Sequence, residues 1–266
     1  MRTLAALAAV VFVAAAPAQD WAKAKLEKSP RHQEWVKVKH GSREVNAFVV
    51  FPEVKDKATA VVVIHEIFGM TDWVRDVADE LAAAGYIAIA PDLLSGMGPN
   101  GGGTESLGGQ NNVMRAIRDL TDKNQDQITA DLNAAAAYVT KLPAANGKVV
   151  VAGFCWGGGQ SFRYATDNKN LKAAFVFYGS PPDAAAMSRI ACPVYGFYGG
   201  NDARITSTVP KTTEEMKAAG KTYEPVIYEG AGHGFMRAGE QPGADPANKK
   251  AHDEAWAKWK KVLKGI

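Results

Sequence analysis

Cysteine is scarce in this sequence, and repeats, low-complexity tracts and clusters of basic residues are absent from it. Only two of the 266 residues are cysteine, which excludes a small fold stapled by several disulfides. The formal net charge is +3 and the basic residues are spread along the chain, so we expect no nucleic-acid partner. With 47% hydrophobic and 22% charged residues, the composition is that of a globular protein.

The longest apolar run lies at the N terminus and is shorter than the roughly 20 residues of a membrane-spanning helix. It extends from Leu4 to Ala16, follows Arg2, and ends in the small-X-small sequence Ala16-Pro17-Ala18. These are the parts of a secretory signal peptide. We therefore predict a signal peptide over residues 1–18, no membrane span, and a periplasmic or secreted mature chain. The alternative interpretation is an N-terminal core helix.

The mature chain alternates between strand and helix patterns. Charged and apolar residues alternate over 34–40 and the chain returns over 44–51, which predicts an antiparallel hairpin at a sheet edge. Later apolar runs are uninterrupted, as in strands buried on both faces, and lie at 59–65, 86–90, 148–152, 173–178, 193–198 and 222–228. Helical patterns separate them. We predict a single α/β domain over 19–266 with a mostly parallel, doubly wound sheet, helices on both faces, and functional residues at the carboxyl ends of strands.

A small-residue corner follows the strand at 148–152. It reads Gly153-Phe154-Cys155-Trp156-Gly157 and leads into a helical pattern. A nucleophile elbow has the order strand, glycine, X, nucleophile, X, glycine, helix. The sequence follows this order, with cysteine in place of the commoner serine. Glycine is needed at such a corner because a side chain would collide with the neighbouring strand and helix. The alternative is a buried structural cysteine.

An acid and a histidine follow two later strands. Asp202 comes after the strand at 193–198 and His233 after the strand at 222–228, and nucleophile, acid, histidine is the chain order of α/β-hydrolases. A thiol with a pKa near 8.5 needs a base at neutral pH. We predict that His233 is that base for Cys155 and that Asp202 orients it. Each residue alone is equally compatible with an ordinary turn or loop.

The loop after the first buried strand reads His65-Glu66-Ile67-Phe68-Gly69. In hydrolases of this fold, this loop and the residue after the nucleophile each supply one backbone N–H to the oxyanion hole. The sequence therefore predicts the amides of Ile67 and Trp156 as the two donors. His65 and Glu66 lack the spacing of a zinc-binding helix, and we predict no metal site and no cofactor.

The two cysteines raise the question of a disulfide, since an exported chain enters an oxidising compartment. Cys192 precedes Pro193 at the start of a predicted strand, whereas Cys155 follows the end of one. In a parallel sheet they would lie a strand length apart, about 17–20 Å, and a bridge needs Cα atoms within about 7 Å. We expect two free thiols, with Cys192 structural.

From about residue 44 to residue 263 the sequence resembles the dienelactone hydrolase family, the cysteine branch of the α/β-hydrolases. The resemblance is carried by the combination of cysteine in the elbow with the Glu-X-Phe-Gly loop. Its motifs are His65-Glu66-Ile67-Phe68-Gly69, Gly153-Phe154-Cys155-Trp156-Gly157-Gly158, Gly200-Asn201-Asp202 and Gly232-His233-Gly234-Phe235-Met236-Arg237.

The resemblance implies an α/β-hydrolase fold and a Cys155–His233–Asp202 triad that forms an acyl-enzyme with an ester or enol-lactone. It also implies that Glu66 lies near the resting thiol and pairs with Arg237, and that an anionic substrate disturbs this pair. The alternative for Glu66 and Arg237 is a surface ion pair.

The sequence departs from the family pattern at Gly234, where well-known members have serine. The family also has a second carboxylate-binding arginine before the elbow. Arg115 and Arg118 are the two candidates for it, and neither aligns uniquely with the family position. A long glycine-rich loop over 96–109 is a candidate lid.

We expect a secreted cysteine hydrolase that acts on a small ester or lactone, with an anionic substrate as one option. A thioesterase or peptidase-like hydrolase of the same fold is a second hypothesis. A non-catalytic extracellular binding protein is a third, because fold does not fix function.

Overall fold

The computed structural model describes residues 19–266, so the signal peptide predicted for residues 1–18 lies outside the described part of the chain. Eight strands form one sheet in the order β1-β2-β4-β3-β5-β6-β7-β8. The strands are β1 (Gln33–His40), β2 (Arg43–Val50), β3 (Ala58–Ile64), β4 (Ile87–Pro91), β5 (Ala145–Phe154), β6 (Ala174–Phe177), β7 (Val194–Gly199) and β8 (Tyr223–Tyr228).

The N-terminal edge of the sheet is antiparallel and the remainder is parallel. Strand β1 pairs with β2, and β2 with β4, in antiparallel register. The five later pairings, from β3–β4 to β7–β8, are all parallel. The predicted α/β sheet with its N-terminal edge hairpin is therefore confirmed.

Helices cover both faces of the sheet. Alternate side chains of a strand point to opposite faces, so Val61 of β3 packs in one core with Trp259, and Val62 packs in the other with Leu132. The helices are α1 (Asp20–Lys28), α2 (Asp72–Ala83), α3 (Gln110–Lys123), α4 (Gln125–Thr140), α5 (Trp156–Asp167), α6 (Ala184–Met187), α7 (Ala203–Thr206), α8 (Val209–Ala218), α9 (Phe235–Glu240) and α10 (Pro246–Leu263). None of these described helices has the length and apolar character needed to cross a bilayer.

The predicted strands agree with the observed ones to within three residues at each end, and the largest difference is at β5, which is longer than predicted at both ends. Its first residue, Ala145, pairs with Ala58 across the sheet. Helices α6, α7 and α9 were not predicted, because four to six residues are too few to show a helical repeat.

One lysine attaches the N-terminal helix to two others. The Lys25 ammonium of α1 lies 3.2 Å from Asp76 and 2.9 Å from Glu80, both on α2, and it also contacts Glu240 at the end of α9. The indole Nε1 of Trp73 donates to Glu240 Oε2 at 2.9 Å. Burial raises the pKa of Asp76 and of Glu240, so these carboxylates depend on the positive charge at their centre. Among the described residues, Asp76, Glu80 and Glu240 form the one group spaced closely enough to ligate a metal ion. The Lys25 ammonium provides the positive charge at this position.

Candidate active site

Cys155 lies in a strained corner between β5 and α5. Its backbone angles are φ 56° and ψ −116°, a left-handed conformation that costs a non-glycine residue about 1–3 kcal/mol. The corner is also tightly packed. A Cβ on Gly153 would lie 1.9 Å from the Gly157 carbonyl oxygen, and a Cβ on Gly157 would lie 2.4 Å from the Ile64 carbonyl oxygen. The flanking glycines are therefore required by packing.

The structure brings Asp202 and His233 together at the carboxyl ends of neighbouring strands. Asp202 follows β7 and is 7% exposed, His233 follows β8, and His233 Nδ1 lies 2.5 Å from Asp202 Oδ2. A carboxylate on Nδ1 selects the tautomer that leaves Nε2 free to accept a proton. Cys155 lies at the same edge, after β5. The side chains predicted as nucleophile, base and orienting acid thus lie at one edge of the sheet, and their catalytic roles stay a prediction.

The Cys155 thiol rests against the two predicted oxyanion-hole donors. Burial raises the pKa of Cys155 to about 11, and the negative charge of Glu66 contributes to the rise. The backbone N–H groups of Trp156 and Ile67 act in the opposite direction and lower the pKa of Cys155, with a smaller contribution from the charge of Arg204. The resting sulfur is therefore protonated at neutral pH, and both predicted donor amides favour its thiolate form.

Glu66 and Arg237 form a largely buried ion pair. Arg237 Nε donates to Glu66 Oε2 at 2.8 Å, and the guanidinium lies 5.4 Å from the centre of the Phe68 ring. Glu66 is 2% exposed, so the pair is not an ordinary surface contact. Burial lowers the pKa of Arg237, but the charge and hydrogen bond of Glu66 outweigh that and raise it. The pair thus places a fixed carboxylate beside the thiol and a cation behind the carboxylate.

Tyr178 belongs to this site although the sequence analysis did not select it. It follows β6 with φ 41°, and its ring lies edge-on to His233 with centroids 5.1 Å apart. Its buried hydroxyl has no hydrogen-bond partner among the described residues, and burial raises its pKa well above 10, with a further contribution from Glu66. The signal was available, because Tyr178 ends a predicted strand at the functional edge.

A cavity of about 780 Å³ adjoins the ion pair. Its lining includes Arg237, Phe68 and Arg75 of α2. Arg115 and Arg118 are both exposed on α3, and neither lines this cavity. A second cationic group at the cavity is thus supplied by Arg75. No motif in the sequence marks Arg75, which lies on a helix and pairs with Asp72 three residues earlier.

The loop before α3 forms another wall of the cavity. Asp92 fixes its base by accepting hydrogen bonds from the backbone and hydroxyl of Thr104, at 2.7 and 2.8 Å. Gly103 fits closely here, since a Cβ on it would lie 2.1 Å from Asp92 Oδ2. Two short 3-10 turns, Pro99–Gly101 and Thr104–Leu107, lie within the stretch proposed as a lid. Whether it closes over substrate stays a prediction.

Both cysteines are free thiols, as expected from their positions in a parallel sheet. Cys192 is buried in the apolar core on one face of the sheet.

A sequence model of the dienelactone hydrolase family matches residues 45–266. Two curated relatives, from Methylorubrum extorquens and Salmonella typhimurium, each carry the name "Putative carboxymethylenebutenolidase". The first is 32% identical over 215 residues, which cover 75% of this chain and 71% of the relative. The second is 32% identical over 232 residues, which cover 81% and 82%.

Solved structures share the architecture. A "Putative Dienelactone Hydrolase" from Klebsiella pneumoniae superposes with a TM-score of 0.75 at 26% identity, over 89% of this chain and 99% of that one. The dienelactone hydrolase from Anabaena variabilis gives a TM-score of 0.62 at 21% identity, over 84% and 95%. At the latter identity the likeness concerns the fold.

Proposed function

This chain belongs to the dienelactone hydrolase family, and on that basis we propose that it cleaves small carboxylic esters or enol-lactones through an acyl-enzyme on Cys155. The observation that supports this most is the strained elbow. It places Cys155 at the same sheet edge as the Asp202–His233 pair, where the amides of Trp156 and Ile67 lower the pKa of its thiol. A buried structural cysteine would not need the strain.

The proposed reaction has two halves. His233 Nε2 takes the proton of Cys155 while the sulfur bonds to the carbonyl carbon, and the carbonyl electron pair moves onto oxygen. The N–H groups of Ile67 and Trp156 stabilise that oxyanion. The C–O bond then breaks, and His233 returns the proton to the leaving oxygen.

Hydrolysis of the thioester follows the same path with water as the nucleophile. His233 removes a proton from water, the resulting hydroxide bonds to the acyl carbon, and the C–S bond breaks. The carboxylic acid leaves and the proton returns to the Cys155 sulfur.

The Glu66–Arg237 pair keeps the Cys155 thiol protonated until substrate binds. While Glu66 lies beside the sulfur, its charge disfavours the thiolate. An anionic substrate in the adjoining cavity would compete for the Arg237 guanidinium and loosen its hold on Glu66. The carboxylate could then move away, and the thiolate would become easier to form. Arg75 is the second cation available to such a substrate.

Replacing the nucleophile tests the proposal. We expect Cys155→Ala to abolish turnover of p-nitrophenyl acetate and of an enol-lactone while unfolding at a similar temperature, and Cys192→Ala to keep turnover within about twofold. Rapid quenching of the parent enzyme should trap the acyl group on Cys155, detected by intact mass and peptide mapping. Full activity of Cys155→Ala would refute the assignment.

A substrate panel separates this proposal from the other two hypotheses. Esters and lactones should be turned over faster than thioesters and peptides of matched acyl group. Faster turnover of the thioester would identify a thioesterase, and faster turnover of the peptide would identify a peptidase-like hydrolase. Absence of turnover of every compound in the panel, together with a Cys155 thiol that iodoacetamide cannot alkylate even at high pH, would favour a binding protein.

We also propose that the protein is exported after removal of residues 1–18. The support is the sequence pattern alone. Expression in a bacterium with a periplasm, followed by fractionation and N-terminal sequencing, tests it. A mature chain that begins at Gln19 in the periplasm or medium is expected, and an intact cytoplasmic chain would contradict the proposal.

A further inference from the structure

A fully buried histidine, His65, lies between the two halves of the predicted oxyanion hole, and the reaction steps above do not use it. It follows β3 directly and is 0% exposed. Its Nδ1 lies 2.8 Å from the Glu66 carbonyl oxygen. Because a carbonyl only accepts, Nδ1 carries the proton. The other nitrogen, Nε2, is buried without a hydrogen-bond partner among the described residues.

The carbonyl that His65 contacts belongs to the same peptide group as the Ile67 N–H. A trans peptide is planar, so its C=O and N–H point in opposite directions. A second donor, the Gly69 N–H, lies 3.1 Å from the same oxygen. Holding the Glu66 carbonyl from one side therefore fixes the direction of the Ile67 N–H, one of the two amides that lower the pKa of Cys155.

The same imidazole also contacts the second half of the hole. Its ring stacks on the Trp156 indole with centroids 5.3 Å apart and planes 21° apart. The indole Nε1 donates to Thr121 Oγ1 at 2.8 Å, so Trp156 is held at its far end as well. The backbone N–H of Trp156 is the other amide that lowers the pKa of Cys155.

The buried ring is suited to a neutral role. Burial lowers the pKa of His65, against a smaller opposing effect of the Asp92 charge. Asp92 is itself occupied by Thr104 and by the Leu94 N–H. A neutral ring donates from Nδ1 without placing a second charge beside the thiol and Glu66.

We propose that His65 is a positioning residue for the oxyanion hole. Its Nδ1–H orients the Glu66–Ile67 peptide and its ring supports Trp156, so that both N–H groups face the oxygen of the tetrahedral intermediate. The effect on the tetrahedral intermediate rests on the proposed function. The effect on the pKa of the resting Cys155 thiol does not depend on it.

The matched variants are His65→Leu and His65→Asn, made in a Cys192→Ala background so that Cys155 is the only thiol. The two side chains have nearly the same shape, but the asparagine amide can donate from the position of Nδ1. We expect His65→Leu to lower kcat about 10- to 100-fold, because a misdirected donor loses part of what a deleted one loses. KM should stay within about threefold, and His65→Asn should restore most of kcat.

A second measurement needs no substrate. The rate of Cys155 alkylation by iodoacetamide is followed against pH. For His65→Leu we expect the midpoint at higher pH than in the parent, because one N–H no longer faces the thiolate. For His65→Asn we expect the parent's midpoint. If the parent hydrolyses no ester, the proposed function fails, and this measurement still decides the role of His65.

Unchanged midpoints in both variants would overturn the proposal, as would equal loss of kcat in both. Thermal unfolding checks that each variant folds. If His65→Leu does not fold, His65→Gln replaces it, because its longer amide reaches the position of Nε2 instead. The Asn variant should then keep the parent midpoint and the Gln variant should lose it, and equal behaviour of the two would refute the assignment.

Discussion

The two thiols of this protein share a raised pKa of about 11 but differ in what surrounds them. At Cys192 burial in an apolar core accounts for the rise. At Cys155 burial acts together with a neighbouring carboxylate and against two backbone donors. The Cys192 environment is fixed by packing. The Cys155 environment contains charges and hydrogen bonds that can rearrange.

The comparison teaches that a resting pKa does not identify a nucleophile. Burial is the largest cause at both thiols, and smaller effects lower the pKa at both. Only at Cys155 does a neighbouring carboxylate add to the rise, and a bound ligand can displace that carboxylate. Backbone strain separates the two as well, since of the cysteines only Cys155 has a positive φ. Strain of this kind persists where the surrounding structure imposes it, and it is common at functional sites.

The largest difference between the thiols should appear when the base is misoriented. Asp202→Asn leaves an amide against His233 Nδ1 and favours the wrong tautomer, so we expect kcat for an activated ester to fall by about 10⁴-fold. Steady-state kinetics measure this. Cys192 has no base to lose, and its resistance to alkylation in the folded protein should not change. A fall of less than tenfold would contradict the proposed role of Asp202.

The next difference concerns the carboxylate beside Cys155. Glu66→Gln removes a negative charge that raises the Cys155 pKa and frees the positive charge of Arg237, and both effects favour the thiolate. The midpoint of Cys155 alkylation should therefore move to lower pH. The rate at pH 8 should rise about three- to tenfold, as expected for up to one unit of pKa.

The control for Glu66→Gln is Glu105→Gln, which removes a carboxylate from the cavity wall and should leave the midpoint nearer to that of the parent. A midpoint at higher pH in Glu66→Gln would show that the carboxylate acts instead as a base for the thiol.

The smallest effects concern stability and should have opposite signs at the two sites. Cys155→Gly should be more stable than Cys155→Ala by about 1–2 kcal/mol, because only glycine accepts that backbone conformation without strain. At Cys192, where φ is not positive, glycine should be less stable than alanine by up to about 1 kcal/mol. Urea unfolding of the four variants measures both differences. If glycine is less stable than alanine at both sites, the backbone at Cys155 is not strained.

Much of this site could be predicted because its residues follow a local rule. Cys155, Asp202 and His233 each come directly after a strand, and parallel strands place their carboxyl ends at one edge of the sheet. The alternation of β-branched runs with helical patterns is also a local property. It located every strand of the sheet before the pairing was known.

The remainder depends on geometry that no local pattern encodes. Arg75 reaches the cavity only because α2 packs beside the loop that follows β4. Tyr178 joins the site through an unusual backbone angle at the end of β6. The role of His65 depends on which way one peptide plane faces, and neighbouring residues in the sequence do not specify that.

The lysine that joins α1 to α2 and α9 has a practical consequence for anyone who prepares this enzyme. The family match begins at residue 45, and a gene trimmed to that boundary would omit Lys25. Three carboxylates would then face one another without their cation, and one of them, Glu240, ends the short helix that carries Arg237. The same cut removes all of β1. We therefore expect the shortened chain to hold α9 and Arg237 less firmly, and an activity measured on it would not describe the natural protein.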